Sequence, residues 1–478
     1  METLSCEVLV VGSGPGGAST AALLAEAGMN VLMVEEGAHL PITSAPSYSL
    51  AEMNQKYRAG GLTTTFGSPN ITYIEGRCVG GASEINAALY HRPLKSTLRD
   101  WQLKFQIDDF EPDSLDPYFE AVERDMTVSG WPGGMDPSSA KIKLGADRLG
   151  WKSHEVQRFW RYDRKPDGTL QHHRQSMTET YVPRGLKAGV RLLPNTRVHR
   201  FKHVGNFATE ATGTTTEGGE KRPVRIQFQS LFVCAGAVHS PLLLRRSGVT
   251  RNVGDSLHLH PMVRIAVRFK DRFNDPTWGV PTWQIEEFKP LITLGGSHSS
   301  LPHIAMWMGV VPNKLARLRD WEHTAVFYVA AVGSGAGKVR DLPLIHEPFV
   351  TMPVPPVDLA LLGEGLYRLG QMAFAAGGVE IFNPIAGGPT IKHPEELAWM
   401  RKGLPPGKVN VSTIHLFSSC PMGEDPRTTT VNSHGRLHGF NNVYLNDSSI
   451  LPLSPAVNPQ GTVMAVARRN ALRFLADR

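Results

Sequence analysis

The sequence is short of cysteine, of clustered charge and of long apolar runs, and each shortage removes a class of protein. Its four cysteines, Cys6, Cys78, Cys234 and Cys420, form no CxxC pair, and each sits in an apolar or glycine-rich context. That placement argues against a disulfide framework and is expected of buried free thiols in a reducing cytoplasm. No block of five or six like charges occurs, and the net charge is only +6 over 478 residues. Nucleic acid is therefore excluded as the expected partner. No run of 18 uninterrupted apolar residues exists, so no membrane span is expected. The first strand begins within seven residues of the start, which leaves no room for a signal peptide, and the expected location is the cytoplasm. His172 and His173 are adjacent but have no partner pattern nearby; they read as surface residues, and no metal site is expected. What remains, 41% hydrophobic and 20% charged, suits a soluble globular enzyme of two or three domains.

What is present starts at the head of the chain. Val8 to Val11 is a short β-branched run, expected to be a strand buried on both faces. Gly12-x-Gly14-x-x-Gly17 follows at once, with Gly16 inside it. A helical pattern then runs to Ala27, and a second apolar strand, Val31 to Val34, ends in Glu35 and Glu36. This βαβ order predicts a dinucleotide site. Gly12 permits the tight turn, Gly14 lets backbone approach a pyrophosphate, and Gly17 lets helix and strand pack closely. The helix N-terminus offers unpaired N–H groups to phosphate. Glu35 stands about 20 residues on, where a carboxylate can accept from ribose hydroxyls. An acid there disfavours a 2′-phosphate but leaves FAD and NAD both open.

Further along, 38–75 is irregular and loop-like, and Gly80-Gly81-Ala82-Ser83 repeats the glycine-turn-then-helix logic. A helix is expected from near Pro117. Strands are expected within 189–205 and 222–236, the latter ending at Cys234-Ala235-Gly236. These would complete the first sheet with segments far from its start. Residues 254–351 carry VRIAVRF, HIAMWMGVV and TAVFYVAAV, which read as a largely antiparallel sheet. The GxGxGK at 333–338 has Val339 where a phosphate loop needs Ser or Thr and reads as a hairpin turn. Asp358 is expected to cap a helix reaching Ala376. His258 and His260 read as structural, and His434 and His438 as surface residues. From Thr462 a clean helix closes the chain. The fold class is α/β: a discontinuous Rossmann-like nucleotide-binding domain (1–95, 180–260 and 405–478) with a second, substrate-binding domain (96–179 and 261–404) built on a helix-covered antiparallel sheet.

Four ordered segments together resemble the glucose–methanol–choline (GMC) flavoprotein oxidoreductases. The first glycine motif with Val34-Glu35-Glu36-Gly37 is similar to their FAD fingerprint. Gly76-Arg77-x-x-Gly80-Gly81-Ala82-Ser83-x-x-Asn86 is similar to their flavin-cradling turn, with Ala82 where Ser or Thr is commoner. Gly236 to Gly248 resembles their second signature, and His415 to Gly423 with Asp447-Ser448 and Asn458-Pro459 resembles their C-terminal active-site block. The resemblance implies FAD as cofactor. Gly12, Gly14, Gly16, Gly17, Glu35 and Glu36 would hold its ADP half. Arg77, Gly80, Gly81, Ser83 and Asn86 would follow the pyrophosphate and ring, Val198 the adenine, and Ala235, Asp447, Ser448, Gln460 and Thr462 the remaining length. The family's paired active-site residues would be His415 and Asn458, 43 apart. Ser418-Ser419 replaces the usual Gly-Thr or Gly-Gly after the histidine. The Asn at the second position is nearer the cholesterol-oxidase and choline-oxidase branches than the glucose-oxidase branch.

The implied activity is oxidation of a small-molecule alcohol, with oxygen or another acceptor taking the electrons. Removing hydride from carbon requires that the hydroxyl proton leave to a base, and a neutral imidazole suits that task. His415 is the expected base. Asn458 would orient the hydroxyl. Trp278, Trp283, Trp307 and Met308 could line an apolar pocket. Two other readings compete: a lyase or light-driven decarboxylase on the same scaffold, and a flavin-binding electron-transfer partner.

Overall fold

A computed structural model describes residues 2–275, 278–342 and 347–478. The expected antiparallel region therefore has two short stretches, 276–277 and 343–346, outside the described residues.

The head motif builds the centre of a five-stranded parallel sheet. Its order is Arg191–Leu193, Val31–Val34, Val8–Val11, Ser230–Val233 and Val443–Leu445. Val8–Val11 and Val31–Val34 are buried on both faces because both are covered, the edge strand Arg191–Leu193 is partly exposed, and the side chains divide by parity. Val8, Val10, Val31, Met33 and Phe232 pack with Ala18, Ala22, Met464 and Phe474, on the side of the helices Pro15–Glu26 and Gln460–Ala476. Leu9, Val11, Leu32, Val34, Leu231 and Val233 face the opposite way. There they meet Phe201, Ala211, Val224 and Ile226 from a four-stranded sheet laid across that side. The parallel order brings chain head, middle and tail together, as the discontinuous reading requires.

The second layer is a large sheet in the order Thr63–Thr64, Ile71–Tyr73, Val411–Thr413, Met262–Phe269, Thr324–Ala331, Ile292–Gly296, Trp283–Ile285 and Ser153–Glu155, with Gly378–Phe382 paired to Met262–Phe269. Every pairing is antiparallel except Ile71–Tyr73 with Val411–Thr413. The helix Pro356–Ala375 lies on this sheet through Leu362, Leu366 and Leu369, which join Phe327, Val329 and Ile265 in one core. Strands from 63–73 and from 411–413, outside the central stretch of the chain, also enter this sheet.

Several expectations are corrected. HIAMWMGVV contains no strand: Leu301–Trp307 is a helix, with Pro302 in its first turn, where its fixed φ and missing N–H favour helix over strand. Residues 38–75 are not all loop, since Leu50–Lys56 is a helix capped by Ser49. Asp358 caps nothing. Its helix starts at Pro356, and its carboxylate accepts from Ser334 N and Oγ and from Gly335 N, anchoring the 333–338 connection. That connection is not a hairpin turn, because Lys338–Arg340 pairs with Phe349–Thr351 instead of with the preceding strand. The last helix starts at Gln460, two residues earlier than expected. His434 and His438 are half-buried, with His438 Nε2 held at 3.0 Å from Thr429 Oγ1. All four cysteines are free and buried. Among the described residues no helix is long and apolar enough to cross a membrane, and no group of three metal-ligating side chains occurs.

Candidate active site

A long cleft runs along the C-terminal ends of the parallel strands, from Glu35 and Val198 at one end to His415 and Asn458 at the other. Gly12 makes the turn that opens it. Its φ is +103°, and a Cβ there would meet the Cys234 carbonyl at 2.2 Å, so no larger residue fits. Gly17 packs the helix against that turn: a Cβ would lie 2.0 Å from Gly12 O. At Gly14 a Cβ would meet nothing within 4 Å, because this side is the open cleft. Helix Pro15–Glu26 starts there with no side-chain cap and no acid in its first turn. Its first N–H groups and its positive dipole end are left facing the cleft.

Glu35 forms the far wall. Its carboxylate accepts from Ser13 N (3.1 Å), Ser13 Oγ (2.8 Å) and Gly37 N (2.9 Å). Burial pushes its carboxyl up, against those hydrogen bonds. Burial also opposes the charge on Glu36, but Arg58 at 2.7 Å, with Arg197, pulls it down to about 2. Asp447 lines the middle of the cleft with its oxygens already engaged by Gly236 N (2.8 Å), Ser240 Oγ (2.5 Å) and Ser449 N (2.8 Å). It braces two turns as well as facing the cleft. Asn86 Nδ2 donates to Gln460 Oε1 at 2.6 Å, tying the second glycine turn to the tail helix.

Of the residues singled out in the sequence, Gly12, Gly14, Gly16, Glu35, Glu36, Gly81, Asn86, Val198, Ala235, Asp447, Ser448, Gln460, His415 and Asn458 all line the cleft. Five do not. Gly17 sits behind the turn, in the role its spacing suggested. Gly80 is behind Gly81, its N–H held by Ser13 Oγ. Ser83 is turned inward, donating to Gly80 O and accepting from Met177 N. Thr462 is buried beneath the helix start, its Oγ1 without a partner among the described residues. Arg77 points to an outer groove, where it pairs with Glu36. The sequence reading missed Thr196, His199, His239 and Leu242 in the cleft wall. Thr196 and His199 come from a strand whose local pattern is ordinary, and His239 and Leu242 lie inside the Gly236 to Gly248 signature but were not singled out within it.

The cleft opens on a second cavity of about 820 Å³. The two share Ile74, Ala82, Asn86, Ala87, Leu89, Ile414, His415 and Asn458. Of the four apolar candidates only Trp307 lines this cavity; Met308 is fully buried, and Trp278 and Trp283 pack elsewhere.

At the junction His415 is held on both ring nitrogens. Asn458 Nδ2 lies 3.2 Å from its Nε2, and His260 Nδ1 lies 2.9 Å from its Nδ1. His260 Nε2 in turn lies 2.5 Å from Ser454 Oγ, which accepts from Ala456 N. With the Asn458 amide so oriented, one proton arrangement satisfies every contact. Asn458 donates to Nε2 of His415; His415 donates from Nδ1 to His260; His260 donates from Nε2 to Ser454. His415 then presents a lone pair at Nε2, towards the junction. Burial, followed by His260, His91 and Arg264, pushes its pKa well below 6.5, and burial alone takes His260 to about 3. Both rings are neutral near pH 7. His260, a structural residue in the sequence reading, is thus in contact with the candidate base.

The cleft fits FAD on its own features. It has an open glycine face, an uncapped helix N-terminus for phosphate, a buried acid at the ribose distance, and a length that ends at an imidazole. An FAD-binding domain model matches residues 5–62, and GMC oxidoreductase models match residues 53–262 and 352–467. An uncharacterized GMC-type oxidoreductase of Sinorhizobium fredii is 37% identical, over 98% of this chain and 94% of that one. A long-chain-alcohol oxidase of Arabidopsis thaliana is 24% identical, over 97% of this chain and 68% of that one. The fold is similar to pyridoxine 4-oxidase from Mesorbium loti, with a TM-score of 0.75 and 18% identity over 98% of this chain and 99% of that one.

Proposed function

The chain belongs to the GMC oxidoreductase family and is an FAD-binding oxidoreductase, and from that premise we propose that it oxidises an alcohol to the carbonyl with His415 as general base. The observation that carries the reading is the junction itself. A neutral imidazole whose Nε2 lone pair accepts from the Asn458 amide sits where the cofactor cleft meets a largely apolar cavity.

FAD, when bound, supplies the acceptor for the hydride leaving the carbinol carbon. The substrate hydroxyl enters between His415 Nε2 and Asn458 Nδ2 and donates to the former while accepting from the latter. As the carbonyl forms, its proton passes to Nε2. Asn458 then stabilises the oxygen and holds the carbon in line. His260 accepts from Nδ1 throughout and so fixes which nitrogen is the base. In the same proposal, 1–95, 180–260 and 405–478 serve the cofactor, and 96–179 and 261–404 serve the substrate. Relatives named as long-chain-alcohol oxidases support an alcohol as donor.

Anaerobic mixing of yellow holoenzyme with a panel of alcohols tests this. Bleaching of the flavin absorbance by at least one alcohol class is expected. A panel that leaves the flavin oxidised overturns the proposal and favours a lyase or decarboxylase on this scaffold. Repeating productive pairs with oxygen and with an artificial acceptor separates oxidase from dehydrogenase.

A further inference from the structure

We propose that the cavity is built for an alcohol that also carries a carboxylate, bound by the guanidinium of Arg264 while the hydroxyl lies at His415 and Asn458. The inference rests on the alcohol-oxidation reading and narrows it to hydroxy acids.

Arg264 stands on the strand Met262–Phe269 and lines the cavity. Its guanidinium is fixed on three sides. Nε donates to Ser297 Oγ at 3.0 Å, Nη1 donates to Ser412 Oγ at 2.5 Å, and Cζ lies 4.2 Å from the Trp307 ring centroid. Nη2 has only Met262 Sδ at 3.9 Å, a weak acceptor. Nη2 is therefore the one guanidinium nitrogen without an oxygen partner, and with the second Nη1–H it completes the end edge of the planar fork. That edge matches a carboxylate bidentately, as an ammonium would not.

No carboxylate balances this charge. Among the described residues no Asp or Glu lines the cavity, and no carboxylate is among the groups that shift Arg264. Burial lowers Arg264 to about 10, with Tyr328 opposing, so it stays protonated near pH 7. The cavity's histidines (His91, His260, His298, His303 and His415) are all pushed towards the neutral form by burial. Its other cation, Lys289, is already 3.5 Å from Glu286. A half-buried cation that faces a cavity without a carboxylate is costly to desolvate, and an anionic ligand offsets that cost. The cofactor does not supply the anion, because Arg264 does not line the cofactor cleft.

The spacing allows one bifunctional molecule. Ser412, which fixes Arg264, precedes His415 by three residues across a bend at 414, so their Cα atoms lie at most about 10 Å apart. The same cavity has apolar wall residues, among them Ile85, Val280 and Met306. A carbon chain or ring joining hydroxyl to carboxylate would fill that interval.

The test compares a chain-length series of ω-hydroxycarboxylates with the matched primary alcohols, by anaerobic flavin reduction. A preference for hydroxy acids on the order of 10²-fold in kcat/KM is expected. Arg264→Met should remove that preference, and Arg264→Lys should restore part of it. Calorimetric titration of the holoenzyme with hexanoate and with hexanamide reads the anion site without turnover. Hexanoate should bind to the wild type and not to Arg264→Met, and hexanamide should bind to neither. If alcohols reduce the flavin but hydroxy acids gain nothing and hexanoate fails to bind, the inference is overturned. If hexanoate binds and nothing reduces the flavin, the anion site stands and the alcohol-oxidation reading fails. Should Arg264→Met lose its flavin, the wild-type preference and Arg264→Lys decide the matter.

Discussion

The two chambers that meet at His415 are made of different material. The cofactor cleft is made of backbone: turns at Gly12, Gly14, Gly81 and Gly236, an uncapped helix end, and carboxylates whose oxygens are held by N–H groups. The substrate cavity is made mostly of side chains, from Tyr48 to Asn458, many of them carried on the strands of the large sheet. A cofactor with phosphates can be gripped by any chain that presents N–H groups in the right curve. A substrate is selected by the shape and charge of what protrudes. Damage to the first chamber should therefore remove the cofactor, and damage to the second should leave it bound while changing the reaction.

The sharpest separation comes from Gly12→Val. Its Cβ would have to occupy the position of the Cys234 carbonyl, at a φ that a β-branched residue rarely adopts. The purified variant should be colourless and should not regain flavin absorbance when incubated with FAD. His415→Ala should give the opposite picture: full yellow colour, with the rate of flavin reduction by alcohol lowered by roughly 10²- to 10⁴-fold. Asn458→Ala removes one oriented donor, so a smaller loss, on the order of 10²-fold, is expected with the flavin retained. If Gly12→Val binds flavin normally, or His415→Ala loses it, the division between the chambers is wrong.

The same division explains what could be read from the sequence. Backbone requirements leave local marks, because only glycine meets them, and the cleft's glycines, Glu35, Asn86 and Asp447 were all identified from motifs. Strand burial was legible in VLVV and VLMV because both faces are covered. Side-chain sites leave no such mark. Arg264 alternates with core residues in VRIAVRF, like any outward position on a half-buried strand, and only the structure shows that its guanidinium has no anion. HIAMWMGVV failed for a related reason: a short apolar run fits strand or buried helix equally, and the start signal at Pro302 was outweighed by composition. His260 in HLHP could not be assigned to His415, because the contact spans 155 residues. Ser83 and Thr462 sit in the right motifs with their hydroxyls turned into the protein, a matter of rotamer that sequence does not encode.

The smallest expected effect discriminates most finely, because it concerns a residue that acts through His415 in the proposed reaction. His260 is a positioning residue, and His260→Leu removes the acceptor for His415 Nδ1–H. The buried imidazole then loses the bond that selects its tautomer, and about a tenfold fall in the reduction rate is expected, with flavin content unchanged. The pH profile carries the distinguishing sign. In the wild type His415 lies well below 6.5, so the rate should hold as pH falls through 6.5 and fail only below it, when the base takes up a proton. His260 is one of the groups that depress His415, after burial itself. Removing it should let that failure begin at higher pH. His260→Gln, which can again accept at Nδ1–H, should recover much of the rate, although it cannot restore the electrostatic contribution of the ring. A packing role alone would predict loss of stability with the pH profile unmoved. Stability itself should also fall as the pH drops below 6.5. His415, His260 and His91 all hold fewer protons folded than unfolded in that window, so acid favours the unfolded chain. In His260→Leu that acid sensitivity should be reduced, since one buried neutral histidine is gone.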